Sequence, residues 1–172
     1  MNKYFKSKFL SNTIIFCSGS IATFSIPPFS FFFLIFVLGF GIYLITLRSS
    51  LKQTFIAGWF LGFGWFAFGL YWIGSAFIVA DTYHKVLMPL AIVILPSVLA
   101  IFWGLACVFA KLLTRKNQSS LFLIIVFLTL FEYLRAKLFT GFPWLMPSII
   151  LSSNDYLIQV FALVGSFTAN LF

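Results

Sequence analysis

Residues 54–79 read TFIAGWFLGFGWFAFGLYWIGSAFIV, a stretch without a charged side chain. It is longer than the roughly 20 apolar residues that a helix needs to cross a membrane. Glycine and tryptophan recur in it at steps of four, three, four and three, at Gly58, Gly62, Trp65, Gly69 and Trp72. These steps place the five residues on one face of a helix. Because glycine lets helix backbones approach closely in lipid, we expect Gly58, Gly62 and Gly69 to be helix-packing residues.

The composition of the whole chain agrees with a lipid environment. Hydrophobic residues make up 62% of the 172 residues, charged residues only 8%, and the mean hydropathy is +1.11. A soluble domain has roughly 25% charged residues, so this chain has too little polar surface to face water. Helices satisfy their own backbone hydrogen bonds in lipid. We therefore expect an all-α fold, a polytopic bundle of transmembrane helices.

The apolar runs divide the chain into about six expected membrane spans. A pair of prolines, Pro27 and Pro28, separates the first two, since proline interrupts a helix. The spans are expected at about 9–26, 29–47, 54–79, 86–113, 120–138 and 156–172, and together they form one membrane domain over 1–172. The last run stops in apolar sequence and is slightly short for a full crossing. We expect this last span to be truncated.

The positive charge is arranged as a topology signal. The net charge is +8, but Lys and Arg form short clusters between apolar runs, so we expect no nucleic-acid partner. One side of the expected membrane carries Lys3, Lys6, Lys8, Arg48, Lys52, Lys111, Arg115 and Lys116. The opposite side carries Lys85, Arg135 and Lys137. By the positive-inside rule, the N-terminus is expected in the cytoplasm and the 139–155 loop in the periplasm.

The sequence contains no set of residues typical of a metal site or of a catalytic triad. His84 is the one histidine, and it lies in an expected loop with Asp81. Cys17 and Cys107 lie in apolar runs without a CxxC partner, where a cysteine behaves as a small hydrophobic residue. We expect no metal, no cofactor and no catalytic residue within the chain.

The fifth expected span contains an acidic and a basic residue. Glu132 and Arg135 are three positions apart and can pair on a helix surface. A carboxylate within an apolar run is unfavourable and calls for a functional explanation. Two interpretations stay open: a structural ion pair that orients the following loop at the periplasmic end, or a direct part in chemistry. That loop contains Phe142, Pro143 and Trp144, which can lie among lipid headgroups and could hold a lipid.

Four segments together resemble one known family. They are Ser25–Phe29 (SIPPF), 58–72 (GWFLGFG continuing to GLYW), Glu132–Arg135 (EYLR) and Phe139–Trp144 (FTGFPW). In this order and spacing, along essentially the whole chain, they resemble bacterial apolipoprotein N-acyltransferase. The sequence departs from the family pattern after Trp144, where Met146-Pro147-Ser148-Ile149 stands in place of a frequent Gly-Tyr pair.

The resemblance implies a function in lipoprotein maturation. Members of the family transfer an acyl chain from a phospholipid to the α-amino group of a lipoprotein's diacylglyceryl-cysteine. They do so through a thioester on a Cys activated by a Glu and a Lys, in a periplasmic nitrilase-like domain after the seventh helix. Nothing in this sequence matches that domain, so no catalytic residue can be assigned. We therefore expect an inner-membrane module, truncated or split and inactive alone, with phospholipid, apolipoprotein and a separately encoded nitrilase-like domain as partners.

Two other classes of membrane protein stay open on the residues alone. A small transporter or channel usually has ionisable groups in mid-membrane or internal repeats. The sequence has no charge in the middle of a span and no convincing repeat. A non-catalytic subunit of a membrane assembly is compatible with the composition, and a stable crosslinked partner would favour it.

Overall fold

Helices are the regular secondary structure of the described part of the chain. The computed structural model describes residues 8–79, 87–115, 119–138 and 144–171. Every regular element among these residues is an α-helix or a 3-10 helix, and no strand occurs among them. The all-α fold class predicted from the sequence is therefore confirmed.

The described ranges contain seven α-helices and five short 3-10 helices, joined by turns. The α-helices are α1 (Lys8–Ala22), α2 (Ile35–Thr46), α3 (Leu51–Gly69), α4 (Ile73–Val79), α5 (Met88–Leu113), α6 (Leu121–Leu138) and α7 (Val160–Val164). The 3-10 helices are Thr23–Ser25, Phe32–Leu34, Pro147–Ser153, Leu157–Gln159 and Thr168–Leu171.

One described helix, α5, is both long and apolar enough to cross a membrane alone. Two shorter apolar stretches, Phe9–Ser25 and Phe32–Thr46, lie below the length of a full crossing. By length and composition, α5 is therefore the candidate for a membrane-spanning segment among the described residues. The six-span bundle stays a prediction.

The expected span at 54–79 consists of two helices. α3 begins earlier, after Ser50, whose hydroxyl accepts a hydrogen bond from the Gln53 amide at 3.3 Å and so caps the helix. The helix ends after Gly69, and Leu70 has φ −100° and ψ 13°. The chain then makes a turn before α4, in which the Ile73 amide donates a hydrogen bond to the Leu70 carbonyl oxygen at 3.0 Å.

The expected sixth helix at 156–172 is likewise not continuous. Its residues form two 3-10 turns and the five-residue α7. The break lies at Gly165, whose φ of 78° is a backbone conformation that glycine adopts without a steric penalty. A run of apolar residues predicts burial or lipid contact, but it does not by itself predict an unbroken helix.

α3 is the central helix of the bundle. It packs against α5 on one side and α1 on the other, while α6 lies against α5 and α2 lies against α1. Leu61, Trp65 and Phe66 of α3 are completely buried. Gly58, Gly62 and Trp65, from the face that the sequence singles out, are buried in this position, whereas Trp72 lies in the turn beyond α3 and is 41% exposed.

The three glycines predicted to mediate packing lie at close approaches. A Cβ on Gly58 would be 2.8 Å from Cys107 Sγ, and one on Gly62 would be 3.0 Å from Trp103 Cβ. Both neighbours belong to α5. A Cβ on Gly69 would be 2.5 Å from Leu145 Cδ1, in the segment after α6. The first two positions face a helix, whereas the third faces a turn.

Two further glycines, Gly19 and Gly64, lie at a close approach between α1 and α3 that the sequence did not predict. A Cβ on Gly19 of α1 would lie 2.1 Å from the Leu61 carbonyl oxygen, and one on Gly64 would lie 2.2 Å from the Phe16 carbonyl oxygen. Backbone oxygens cannot turn aside as flexible side chains do. α1 and α3 can therefore cross at this distance only with glycine at both positions.

Gly64→Ala is expected to destabilise the protein by about 1–3 kcal/mol, because the new methyl group forces α1 and α3 apart. Gly39→Ala in α2 is the matched control, since a Cβ there meets no atom within 4 Å. Thermal unfolding of the detergent-solubilised chain measures both. Equal midpoints for the two variants would contradict the close crossing of α1 and α3.

Candidate functional site

A buried ion pair lies near the end of α6. Arg135 donates a hydrogen bond to Glu132 Oε2 and forms a salt bridge with it. The side chain of Arg135 is 0% exposed and that of Glu132 is 1% exposed. It is the one ion pair among the residues that the structure describes. The i, i+3 spacing predicted this contact, but not that both groups are enclosed completely.

The second oxygen of Glu132 is also occupied. Trp103 of α5 donates from its indole Nε1 to Glu132 Oε1 at 2.7 Å, in a buried hydrogen bond. A hydrogen bond to a carboxylate is stronger than one between neutral groups. Glu132 therefore connects α5 to α6, and both of its oxygens already have donors.

Arg135 extends the contact to the segment that follows α6. Its Nη2 donates to the carbonyl oxygen of Trp144 at 3.0 Å. Its guanidinium carbon lies 5.0 Å from the centre of the Phe66 ring, within the range of a cation–π interaction. The arginine thus joins α6, α3 and the turn at 144–146.

The same turn is held by a second indole. Trp65 of α3 donates from Nε1 to the Leu145 carbonyl oxygen at 2.7 Å. Leu145 has a φ of 60°, which is unfavourable for a residue with a side chain, yet it is buried against Gly69. The Trp144 ring stacks on Trp72 at 4.9 Å. These contacts together fix the turn against the end of α3.

We call Trp65, Phe66, Trp103, Glu132 and Arg135 the buried cluster. The indoles of Trp65 and Trp103 are stacked with their centres 6.1 Å apart, and the Phe66 ring meets Trp103 edge-on at 5.4 Å. The spacing of residues in the sequence predicted Trp65 on the α3 face but gave no indication of Phe66 or Trp103. A usable signal existed, because a carboxylate in an apolar run needs buried donors and tryptophan carries one.

Two cavities lie beside this cluster. The larger, of about 910 Å³, lies between α2, α6 and the 147–157 segment, and Glu132 forms part of its wall. The smaller, of about 400 Å³, lies between the 23–29 segment, the end of α3 and Ile92. Gly69 lines the smaller cavity and also contacts Leu145. Both cavities are therefore at the end of the bundle where the turn lies.

The larger cavity is mostly apolar but has polar groups at one edge. Asn170 accepts a hydrogen bond from the Ser148 amide at 2.7 Å through Oδ1, which fixes the orientation of its amide group. Its Nδ2 and the Ser153 hydroxyl are buried without a hydrogen-bond partner among the described residues. Buried donors usually find an acceptor, so an acceptor on a bound molecule fits this edge.

The geometry supports a structural part for Glu132 and Arg135, the first of the two interpretations left open by the sequence. Each oxygen of Glu132 already accepts a hydrogen bond from a buried donor, and Cys107 is buried in the contact with Gly58. Trp144 lies in the fixed turn. Phe142, Pro143, Asp81 and His84 lie outside the described residues. Within the described part of the chain, no group of three or more His, Cys, Asp or Glu could hold a metal.

Comparison with known proteins gives a consistent family match. Residues 18–172 match the family model described as apolipoprotein N-acyltransferase N-terminal domain. Three similar curated proteins, each named apolipoprotein N-acyltransferase, come from Rhizobium rhizogenes, Rhodopseudomonas palustris and Brucella melitensis. They are 37%, 36% and 34% identical to this chain over 138, 155 and 164 residues.

The matches differ greatly in the share of each protein they cover. They include 74%, 86% and 87% of this chain, but only 26%, 29% and 30% of the three relatives. The chain therefore spans less than a third of the length of the curated relatives it matches.

Glu132→Gln is expected to destabilise the protein by about 3–5 kcal/mol, because it leaves the Arg135 charge buried without its anion. The double variant Glu132→Gln, Arg135→Gln is expected to be more stable than Glu132→Gln alone, since it removes both charges. Detergent-induced unfolding of Glu132→Gln, Arg135→Gln and the double variant measures the coupling energy between the two residues.

Trp103→Phe is a comparison variant that leaves both charges in place, because it keeps an aromatic ring but removes the indole donor to Glu132. Its expected loss is smaller, about 1.5–3 kcal/mol. Additive losses for Glu132→Gln and Arg135→Gln would show that the two side chains do not stabilise each other.

Proposed function

The chain belongs to the apolipoprotein N-acyltransferase N-terminal domain family, and we propose that it is the lipid-holding membrane portion of such an acyltransferase. The observation that carries the proposal is the buried cluster, which fixes the 144–146 turn beside two apolar cavities at one end of the bundle. The turn and the cavities form a surface on which lipid chains can lie and above which a catalytic part can act.

The proposed location is the bacterial inner membrane, crossed several times with the N-terminus in the cytoplasm. Large exposed apolar side chains support contact with lipid, among them Phe9, Phe36 and Phe122, which are 83%, 77% and 71% exposed. The orientation rests on the excess of Lys and Arg at the end opposite the turn. In this orientation, the buried cluster and both cavities lie towards the periplasm.

The proposed reaction is the transfer of an acyl chain from a phospholipid to the N-terminal diacylglyceryl-cysteine of a lipoprotein. Such a transfer needs a nucleophile next to a general base. Within the described residues, Cys107 packs against Gly58, and Glu132 already accepts two hydrogen bonds. We infer that groups outside the described residues supply the chemistry, and we propose that this chain alone is inactive.

The larger cavity is proposed to hold an acyl chain. Its volume of about 910 Å³ lies within the range of roughly 300–1,000 Å³ typical of small-molecule sites. Apolar contact alone gives little preference for the cavity over the bilayer, because an acyl chain in the bilayer is already surrounded by hydrocarbon. Asn170 Nδ2 and the Ser153 hydroxyl, which have no hydrogen-bond partner among the described residues, add a preference for the cavity, since they can donate to an ester carbonyl.

A photocrosslinking experiment tests this proposal. The chain is reconstituted in phospholipid that contains phosphatidylglycerol with a diazirine in its acyl chain, together with a diacylated lipopeptide. After illumination, we expect lipid adducts at Leu151, which lines the cavity, and at the exposed Phe122, which serves as a reference. We expect no triacylated lipopeptide.

Gly39→Trp separates cavity binding from general lipid contact. Gly39 lines the cavity, and a Cβ at this position meets nothing within 4 Å, so a large side chain can enter the open space. Adducts at Leu151 are expected to fall while those at Phe122 persist. An equal fall at both residues would refute the cavity assignment. Triacylated product above the level of a Cys17→Ser, Cys107→Ser control would refute the inference of inactivity.

A further inference from the structure

Two cationic side chains meet at the end of the bundle opposite the buried cluster. Arg48 lies in the turn between α2 and α3, and its Nη2 donates to Ser11 Oγ at 2.7 Å and to Asn12 Oδ1 at 2.9 Å. Lys111, in the last turn of α5, donates from Nζ to the carbonyl oxygen of Arg48. The start of α1, the α2–α3 turn and the end of α5 therefore converge on these two residues.

All the described partners of the two cations are neutral. Glu132 and Asp155 are the acids among the described residues, and the one ion pair there is that of Glu132 with Arg135. Arg48 Nε is buried without a hydrogen-bond partner in the described part of the chain. Partial burial lowers the pKa of the Arg48 guanidinium, because desolvation penalises its charged form. Among the described residues, the positive charge at this turn thus has no counter-anion.

We propose that Arg48 and Lys111 bind the phosphate group of an anionic phospholipid in the cytoplasmic leaflet. Guanidinium and ammonium groups are the usual donors to phosphate oxygens, and basic pockets between helices at the cytoplasmic side bind anionic headgroups. Lys52 in the first turn of α3 and Arg115 just after α5 are exposed and add positive potential at the same end.

The headgroup would neutralise two like charges that otherwise repel each other at one turn. It would also connect α2 and α5, which the described structure joins here through one hydrogen bond from Lys111 to a backbone oxygen. This inference rests on the membrane placement of the helices and not on acyl transfer. It can therefore stand if the chain binds no acyl chain in its cavity.

The test compares three ligands for the full chain in uncharged detergent micelles. Phosphatidylglycerol, phosphatidylethanolamine and inorganic phosphate are titrated while the thermal midpoint and the lipids retained in native mass spectrometry are recorded. Phosphatidylglycerol is expected to raise the midpoint most. Arg48→Gln and Lys111→Gln are each expected to weaken its binding about tenfold, as for the loss of one charge-assisted hydrogen bond.

Lys137→Gln is the matched control, because it removes one exposed positive charge at the other end of the bundle. It is expected to leave phosphatidylglycerol binding unchanged, and Arg48→Lys is expected to retain part of it. Where Arg48→Gln fails to fold, Lys111→Gln decides the result. Equal effects of the two phospholipids, an equal loss in Lys137→Gln, or full stabilisation by inorganic phosphate would each overturn the proposal.

Discussion

The bundle depends on the enclosure of one negative and one positive charge. Glu132 and Arg135 are almost completely buried, and a charge in an apolar interior is tolerable only with an opposite charge and further hydrogen bonds. Trp103 supplies the further donor to Glu132, and the Trp144 carbonyl accepts from Arg135. These hydrogen bonds hold three parts of the protein in one arrangement: α5, α6 and the turn at 144–146.

Close packing of α3 makes this arrangement possible. Gly58 and Gly62 let the helix approach α5 near Trp103, while Gly64 lets it approach α1. The aromatic residues then fill the remaining space, with Trp65 and Phe66 completely buried. A small residue on each contact face and a large one between them is the pattern expected where packing, and not exclusion of water, stabilises helices in lipid.

Local patterns in the sequence predicted the all-α fold class, the contact of Glu132 with Arg135 and the close approaches at the glycines of α3. They could not predict the partners that come from distant positions, such as Trp103, which is 29 residues from Glu132 in sequence. They also predicted a single span over 156–172, where the described residues form short helices interrupted at Gly165, because hydropathy reports the surroundings of a residue and not its backbone angles. The sequence did not predict the close crossing of α1 and α3 at Gly19 and Gly64, because the two glycines lie on different helices.

In the proposed orientation, the buried cluster lies towards the periplasmic side of a membrane and the Arg48 turn towards the cytoplasmic side. Single cysteines at the exposed positions Asp155 and Ser49, in a Cys17→Ser, Cys107→Ala background, allow a direct measurement with a membrane-impermeant maleimide. We expect Asp155→Cys to react in intact spheroplasts and Ser49→Cys only after lysis. Reaction of Ser49→Cys before lysis, with Asp155→Cys protected, would contradict this orientation.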